Sequence, residues 1–395
     1  MAPAIWHPPT LRKDSDEEAE RRATWLELFY DLVFVATIGQ LAHTLAGEIS
    51  WPGVGGFVLF FIPIWWCWVG ATYYATRFDS DGLFDRLFAF MQIVIVAAMA
   101  VHVHHGLDGG DIGFALCYAA FRGLIVLQYI IAGHYNPVAK PLVNHFSIGF
   151  SLSIVLWLGS VFVPAPWRYG LWIAGLLLDL GTPLNAGSRL ALVPPSLSHV
   201  PERVGLFTII VLGEAILGVI RGLANLEWTL AAEITAVLGL TIAFCLWWLY
   251  FDSVDGSPLK SLQQDGNIAL AAAWLYAHLP LTAGLAMAGV GLEHLIANGP
   301  ETPPEAAEQW LFCGAVALAL TALAAIHWMT CNLGSPRFRR VLTTYRLGSA
   351  VFIVMLALTA NLTSLGIVAW TAVACLVQVV FDLFKTRPAS SDVAP

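Results

Sequence analysis

Charged residues are scarce in this sequence. Only 12% of its 395 residues are Asp, Glu, Lys or Arg, whereas 58% are hydrophobic and the mean hydropathy is +0.72. Water-soluble domains normally carry about 25% charged residues, so the composition excludes a soluble globular protein. It predicts an all-α integral membrane protein with many spans.

Several familiar chemical motifs are also missing. The six cysteines lie singly in or beside apolar runs, which argues against a disulfide framework and a zinc ribbon. The sequence has no H-E-x-x-H, G-x-S-x-G, Walker or dinucleotide-binding motif, so neither a hydrolase of those types nor a nucleotide-driven mechanism is supported, and no cofactor is predicted. A formal net charge of −8 argues against nucleic acid as a partner. The expected partners are the lipid bilayer and an unidentified small molecule or ion.

The apolar runs define the predicted architecture. A helix needs about 20 residues to cross a bilayer, and on that basis the sequence predicts twelve spans. They cover residues 25–46, 53–75, 85–104, 112–133, 142–163, 169–186, 204–223, 230–250, 268–291, 308–329, 341–361 and 364–383. The first 23 residues mix acids and bases and do not have the apolar core of a signal peptide, so the first span is expected to remain in the mature protein.

Basic residues predict the orientation. With the N-terminus in the cytoplasm, fifteen of the 19 Lys and Arg residues fall on the inner side, and only Arg168 and Arg221 fall on the outer side. Positive charge concentrates on the cytoplasmic side of membrane proteins. We therefore expect a multi-pass protein of the inner membrane with both termini in the cytoplasm.

Similar segments recur in the two halves of the chain. The second span holds Trp65-Trp66 and is followed by Phe78-Asp-Ser-Asp-Gly82, while the eighth holds Trp247-Trp248 and is followed by Phe251-Asp-Ser-Val-Asp-Gly256. The sixth and twelfth spans end in Leu-Asp179-Leu and Phe-Asp382-Leu. Six spans per half predict two parallel repeats. The predicted organisation is a cytoplasmic tail (1–23), a first repeat (24–190), a second repeat (200–384) and a second cytoplasmic tail (385–395).

The first span carries two carboxylates in its first third. Glu27 and Asp31 are four residues apart, so they lie on one helix face and repel each other unless a cation or a proton lies between them. Charges inside a span are costly and normally face protein. This face is therefore a candidate site, although an acid in the first turn, as Glu27 is, can also serve only to complement the helix N-terminus.

Two of these motifs carry a family resemblance. The run Glu27-Leu-Phe-Tyr-Asp-Leu-Val-Phe-Val35 and the run from His199 to Glu214 resemble the bacterial low temperature requirement A family. The resemblance implies a multi-pass inner-membrane protein and carries over no catalytic residue. A looser similarity is to potassium or proton channels that repeat a Phe-Ser-Asp motif in spans 1 and 7. Phe29-Tyr-Asp31 fits that motif, whereas Phe207-Thr-Ile209 has no acid.

Span 7 carries the longest charged stripe. At 100° per residue Arg203, Glu214 and Arg221 fall on one face, and Gly218 and Gly222 form a G-x-x-x-G that allows close approach of another helix. Arg122 in span 4 has a similar predicted depth to Glu214, which suggests that the two residues pair. Such a pair is either an architectural lock or a site that opens for a substrate or a proton.

Three further groups are weaker candidates. His278 precedes Pro280 in span 9, which predicts a kink with a titratable ring beside it, or a kink satisfied by Ser, Thr or water. Arg346 in span 11 has a predicted depth similar to that of Glu27 and Asp31. His102, His104 and His105, near Asp108 and Asp111, are weak metal-ligand candidates, and a solvated turn is the favoured interpretation.

The function predicted from these features is a secondary transporter or ion pathway that uses buried charges at the repeat interface. An integral-membrane enzyme acting on a lipid or isoprenoid-like substrate is the alternative, with Glu27, Asp31 or Glu214 as acid or base. A membrane assembly factor without a substrate is a third possibility. A lateral opening to lipid would favour the enzyme, and a polar path to both faces would favour transport.

Overall fold

The computed structural model is built almost entirely of α-helices. It describes residues 7–12, 24–79, 82–106, 109–196, 199–224, 226, 228–252, 257–260, 267–330, 336–359 and 361–386. The helices are α1 (Trp25–Gly47), α2 (Trp51–Arg77), α3 (Leu83–His104), α4 (Asp111–Tyr135), α5 (Lys140–Ser160), α6 (Trp167–Leu184), α7 (Arg189–Leu192), α8 (His199–Ala224), α9 (Leu230–Phe251), α10 (Ile268–Ala297), α11 (Ala306–Met329), α12 (Pro336–Ala357) and α13 (Ser364–Thr386). The prediction of an all-α membrane protein is confirmed.

Twelve helices in the described ranges have 18 residues or more, one for each predicted span. Eleven of them are long and apolar enough to cross a membrane. The exception is α6, which has 18 residues and contains Arg168 and Asp179. The predicted span at 169–186 therefore coincides with the one long helix of the described ranges that does not meet these criteria.

Local signals fix where several helices begin. The side chain of Glu27 accepts hydrogen bonds from the backbone N–H and the hydroxyl of Thr24, and the Glu27 N–H donates to that hydroxyl oxygen. This is a capping box. The Thr229 hydroxyl likewise accepts from the N–H of Ala232 at the start of α9. Both caps satisfy donors that the first helical turn leaves without partners.

The chain forms two compact units. The first comprises residues 1–44, 52–207 and 256–273, and the second comprises 45–51, 208–255 and 274–395. In the first unit, aromatic rings fill the space between α2, α4, α5 and α6. The rings of Trp157 and Trp172 stack at 4.7 Å, Phe60 meets Phe114 edge-on at 4.7 Å, and Tyr118 lies 4.2 Å from Trp157. Offset and edge-on aromatic pairs of this kind stabilise packing beyond simple burial.

A short N-terminal strand in the first unit lies across the end of α2. Strand β1 (Thr10–Leu11) pairs antiparallel with β2 (Phe78–Asp79). The backbone N–H of Arg12 donates to the carbonyl of Arg77 at 3.0 Å, and the Arg12 guanidinium lies 3.5 Å from the Asp79 carboxylate. The amide of Asn136, beyond the end of α4, donates to the carbonyl of Pro9. These bonds hold residues 9–12 against this end of the unit.

Small residues set the packing of the second unit. A Cβ on Gly218 of α8 would lie 2.2 Å from the carbonyl oxygen of Gly289 in α10, and a Cβ on Gly222 would lie 2.8 Å from that of Glu293. Only glycine permits backbones to approach so closely, so the close approach predicted from Gly218 and Gly222 is confirmed.

Candidate functional site

The two acids of α1 share one guanidinium. Arg203 of α8 donates from Nε to Asp31 Oδ2 at 3.1 Å and from Nη2 to Asp31 Oδ1 at 2.5 Å, and its Nη1 lies 3.2 Å from Glu27 Oε1. Asp31 is fully buried, and Arg203 is 2% exposed. A planar, forked cation suits this two-point binding. The spacing of Glu27 and Asp31 predicted a cation or a proton between them, and the structure has the cation Arg203 there, whereas Arg346 pairs with Asp382.

Aromatic side chains complete the surroundings of Asp31. The indole N–H of Trp68 donates to Asp31 Oδ1 at 2.8 Å, and the Trp68 ring stacks on Phe207 at 4.2 Å. Asp31 thus accepts three hydrogen bonds in an apolar setting, which offsets the cost of burying its charge. Trp68 lies two residues after the Trp65-Trp66 pair and was not predicted as a site residue.

Glu27 combines a structural and an electrostatic role. Its Oε2 accepts the capping bonds from Thr24, while its Oε1 contacts Arg203 and lies 3.0 Å from Nε2 of His199. Nδ1 of His199 lies 3.7 Å from the carboxylate of Glu202. The helix-terminus interpretation of Glu27 therefore applies to Oε2, while Oε1 contacts the cation Arg203 and His199; its role in a functional site remains a prediction. His199 lies within the family motif, but its residue type alone did not mark it as a site residue.

A cavity of about 550 Å³ in the first unit reaches this charged cluster. Its polar wall includes Glu27, Arg203 and a hydrogen-bonded chain in which Tyr30 donates to Gln92 Oε1 at 2.9 Å and Gln92 donates to Gln128 Oε1 at 2.8 Å. The other lining residues are Arg12, Thr24, Trp25, Leu26, Ala71, Tyr74, Ala75, Phe78, Asp79, Asp85, Arg86 and Ala89. This volume and this mixture of apolar surface with a few converging polar groups are typical of small-molecule sites.

Arg122 has a different partner from the one predicted. It donates from Nη2 to Asp179 Oδ1 of α6 at 2.8 Å, and Tyr118 and Ser153 donate to Asp179 Oδ2 at 2.5 and 2.8 Å. Both ions of this pair are fully buried. The predicted pairing of Arg122 with Glu214 is therefore wrong, because predicted depth in a span does not determine the direction in which a side chain points.

Glu214 lies in a separate cluster of the second unit. Nη1 of Arg221 is 3.6 Å from Glu214 Oε2 and 3.7 Å from Glu293 Oε2. Arg221 and Glu214 are seven residues apart on α8, as the predicted stripe places them. Glu293, near the end of α10, was not singled out by the sequence analysis, although it is the only carboxylate in that helix.

Arg346 and His278 also have partners within the second unit. Arg346 donates from Nη2 to Asp382 Oδ2 at 3.1 Å, and the same nitrogen lies 3.1 Å from His327 Nε2. The His278 ring is held between the carbonyl of Trp274, 2.8 Å from Nδ1, and the hydroxyl of Tyr250, 3.2 Å from Nε2. The Thr282 hydroxyl donates to the carbonyls of His278 and Leu279. Neither is the carbonyl of Tyr276, whose usual helical N–H donor Pro280 does not provide, so both sequence interpretations of the kink remain predictions.

The histidines near the end of α3 do not assemble a metal centre in the described part of the chain. No group of three or more His, Cys, Asp or Glu side chains there could hold a metal ion. His104 Nδ1 lies 3.0 Å from the Gln40 amide, and Asp111 pairs with Arg168. His102 and His105 join no such group, and Asp108 lies outside the described residues.

Long apolar helices with arginine–carboxylate pairs buried among them define a polytopic α-helical membrane protein. Residues 22–381 match the bacterial low temperature requirement A protein family. The chain belongs to this family. It is also 27% identical over 311 residues to an uncharacterized protein of Rhizobium meliloti (strain 1021), covering 74% of this chain and 73% of that protein. No solved structure matches the chain.

Proposed function

We propose that this protein is a secondary transporter or ion pathway whose substrate enters the cavity of the first unit. The observation that carries the proposal is the continuity between the cavity and a buried ion cluster. Glu27 and Arg203 line the cavity, and Arg203 is bonded in turn to the fully buried Asp31. Charges inside membrane proteins are costly and mark ion and substrate pathways.

The cluster offers a way for binding to change the protein. A ligand that interacts with Glu27 competes with Arg203 for that carboxylate, and Arg203 also holds Asp31. Loss of one contact leaves the guanidinium bonded to Asp31 alone, so binding alters a charge pair between α1 and α8. Differential contacts of this kind are what a ligand needs in order to shift a conformational equilibrium.

Flux measurements in liposomes test the proposal. Purified protein is reconstituted with a trapped pH-sensitive dye, and H⁺, Na⁺ and K⁺ gradients are imposed in turn, with a protonophore added for Na⁺ and K⁺ so that compensating H⁺ movement reports their flux. We expect a protein-dependent flux that Glu27→Gln reduces to the level of protein-free liposomes, because Glu27 lines the cavity and glutamine is accepted in a capping box. Glu48→Gln is the matched control, because Glu48 is an exposed acid outside the cavity wall. If liposomes containing the wild-type protein show no more flux than protein-free liposomes for any of the three ions, the protein is not a pathway for these ions.

A second candidate function is an integral-membrane enzyme acting on a lipid or isoprenoid-like substrate. The observation that favours it is the presence of the apolar Trp25 and Leu26, both exposed, in the same wall as the Glu27 carboxylate. Such a wall suits an amphipathic substrate. Incubation with bacterial lipids followed by mass spectrometry distinguishes the two functions: a product that forms with the wild type and not with Glu27→Gln would favour the enzyme.

A further inference from the structure

The cavity of the first unit has one exposed end and one buried end. At the exposed end its wall includes Trp25, which is 88% exposed, and Arg86, whose side chain is also exposed. At the other end its wall includes Gln92 and Arg203, which are only 4% and 2% exposed. The cavity therefore has a mouth near the starts of α1 and α3 and a floor beside the charged cluster.

The N-terminal strand forms part of the wall at this mouth. Arg12, the residue after β1, lines the cavity together with both residues of β2. The cavity extends inward from there. At 1.5 Å per residue, Ala71 lies about 9 Å before the end of α2, and Gln92 lies about 14 Å beyond the start of α3. A molecule that reaches the floor from this end of the unit must therefore pass the strand.

We use the name strap for residues 7–12, which contact the ends of three helices. A Cβ on Gly82, the residue before α3, would lie 3.2 Å from the backbone nitrogen of His7. The carbonyl of Pro9 accepts a hydrogen bond from the side chain of Asn136, the residue after α4. Strand β1 pairs with β2 directly after α2. The strap thus lies across the place where these helix ends meet.

The bonds that hold the strap are few and partly exposed. Its pairing with β2 spans two residues, and the N–H of Arg12 donates to the carbonyl of Arg77 at 3.0 Å. The Arg12 guanidinium lies 3.5 Å from the Asp79 carboxylate, and these side chains are 16% and 36% exposed. Ion pairs that water can reach stabilise little. Segments with few buried contacts and exposed hydrogen bonds are those that open locally while the rest of the protein stays folded.

We propose that the strap restricts the mouth of the cavity and detaches from β2 to admit a substrate. Because Arg12 belongs to the wall, detachment removes one side of the mouth and leaves the floor unchanged. The admission of a substrate rests on the proposed function, which takes this cavity as the substrate site. The restriction of the mouth is a statement about access alone, so it can be tested without transport.

A cysteine at position 71 reports access to the inner part of the cavity. Ala71→Cys is made in the full-length protein, and its modification in detergent by N-ethylmaleimide and by a larger, neutral biotin maleimide is followed by mass spectrometry. A strap that is detached about one tenth of the time should slow the larger reagent about tenfold relative to the small one. At Glu48→Cys, an exposed position outside the cavity wall, the two reagents should react at similar rates. Similar rates at position 71 would overturn the restriction.

Two variants at position 12 detach the strap to different degrees. Arg12→Gln removes the ion pair with Asp79, and Arg12→Pro also removes the N–H that donates to Arg77. The larger reagent should react faster in Arg12→Gln than in the parent protein, and Arg12→Pro should abolish most of the difference between the reagents. Arg86→Gln is the matched control, because it shortens another arginine of the mouth that is not on the strap. An equal effect of Arg86→Gln and Arg12→Pro would show that trimming the wall is sufficient and would overturn the strap.

Hydrogen exchange in the wild-type protein tests detachment without any variant. The amide of Arg12 should exchange at least about tenfold faster than the amides of residues 60–70 in the interior of α2, because local detachment exposes it to water. Equal protection of the strap and of this helix would contradict detachment.

The liposome flux measurements distinguish this inference from the proposed function. Faster modification of position 71 in Arg12→Pro, together with no flux through the wild-type protein, would contradict transport and support the strap. Flux through the wild-type protein, together with no effect of Arg12→Pro on modification, would support transport and overturn the strap.

Discussion

Arg203 stabilises an arrangement that the first span could not sustain alone. Two carboxylates one turn apart on α1 repel each other, and the single guanidinium contacts both of them at 3.2 Å and 2.5 Å. The pair with Asp31 is almost completely buried. Removing one member of a buried pair leaves the other charge without compensation, which is usually far more destabilising than replacing both.

We therefore predict that Arg203→Gln lowers the free energy of unfolding by about 3–5 kcal/mol. Asp31→Asn should be similarly severe because it leaves the guanidinium with Glu27 alone. The double variant should be less damaged than the sum of the two single variants, since the residues are coupled. A thiol-reactive dye that reports exposure of the buried cysteines Cys67, Cys245, Cys313 and Cys375 during heating measures the change.

Arg189→Gln is the matched control, because Arg189 is exposed and lies on the short helix α7. This variant should unfold at the same temperature as the wild type. Strict additivity of Arg203→Gln and Asp31→Asn would show that the two residues do not act as a pair.

The sequence allowed the acids of this site to be predicted, but not their complete set of partners. Glu27 and Asp31 could be identified because charges in an apolar run are costly, and their spacing predicted that a cation or a proton lies between them. Which cation pairs with the acids depends on the rotation of each helix about its own axis. The predicted depth of a residue in its span does not determine that rotation. Arg346 was matched by depth and pairs with Asp382, and Arg122 was matched to Glu214 and pairs with Asp179.

At the scale of helices, the contact between α8 and α10 depends on the absence of side chains. The Cβ of any residue at 218 would lie 2.2 Å from the Gly289 carbonyl oxygen, and a Cβ at 289 would lie 2.6 Å from the Glu214 carbonyl oxygen. Backbone atoms cannot move aside as the end of a flexible side chain can. The two glycines therefore bring α8 and α10 together beside Glu214.

We predict that Gly218→Ala destabilises the second unit by about 1–3 kcal/mol, the usual cost of overpacking. The added methyl group must separate the two helices. Thermal unfolding in detergent measures the loss. Gly213→Ala on the same helix is the control, because a Cβ at that position meets nothing within 4 Å. Alanine has a better helix propensity than glycine, so this variant should be as stable as the wild type or slightly more stable. Equal effects of the two substitutions would contradict this account of the contact.

Most helix positions follow from the sequence for a simple physical reason. An apolar run in a membrane has no water to hydrogen-bond its backbone N–H and C=O groups. An α-helix forms all of these hydrogen bonds within the segment, so such a run is expected to be helical. The predicted span at 53–75 corresponds to Trp51–Arg77, and that at 230–250 corresponds to Leu230–Phe251. The short pairing of β1 with β2 was not predicted, since two-residue strands have no detectable periodicity.

For the whole molecule, the two parallel repeats remain a prediction. Asp179 and Asp382 occupy matching places in the proposed halves, and each binds a buried arginine within its own unit. The arginines come from different positions, however: Arg122 lies on the fourth long helix and Arg346 on the eleventh. If the halves are related, the acid has stayed in place while its cation has moved to another helix.

The last prediction concerns how many times the chain crosses the membrane. Eleven helices meet the criteria of length and apolarity, and α6 is the remaining long helix. With the N-terminus inside, eleven crossings place the C-terminus outside, and twelve place it inside. At 1.5 Å per residue the 18 residues of α6 extend about 27 Å, close to the roughly 30 Å hydrocarbon core.

The acid in the middle of α6 does not face lipid. Asp179 is fully buried and bonded to Arg122, whereas the exposed side chains of α6 include Ile173, Leu177 and Leu178. We therefore predict that α6 spans the bilayer and that both termini are cytoplasmic. Fusion of a fluorescent protein that folds only in the cytoplasm should give signal at either terminus. A phosphatase that is active only outside should be active when inserted in the loop between α5 and α6, and inactive between α6 and α8. With a cytoplasmic N-terminus, phosphatase activity at the C-terminus would exclude the even number of crossings that two parallel six-helix repeats require, and phosphatase activity between α6 and α8 would exclude α6 as a span.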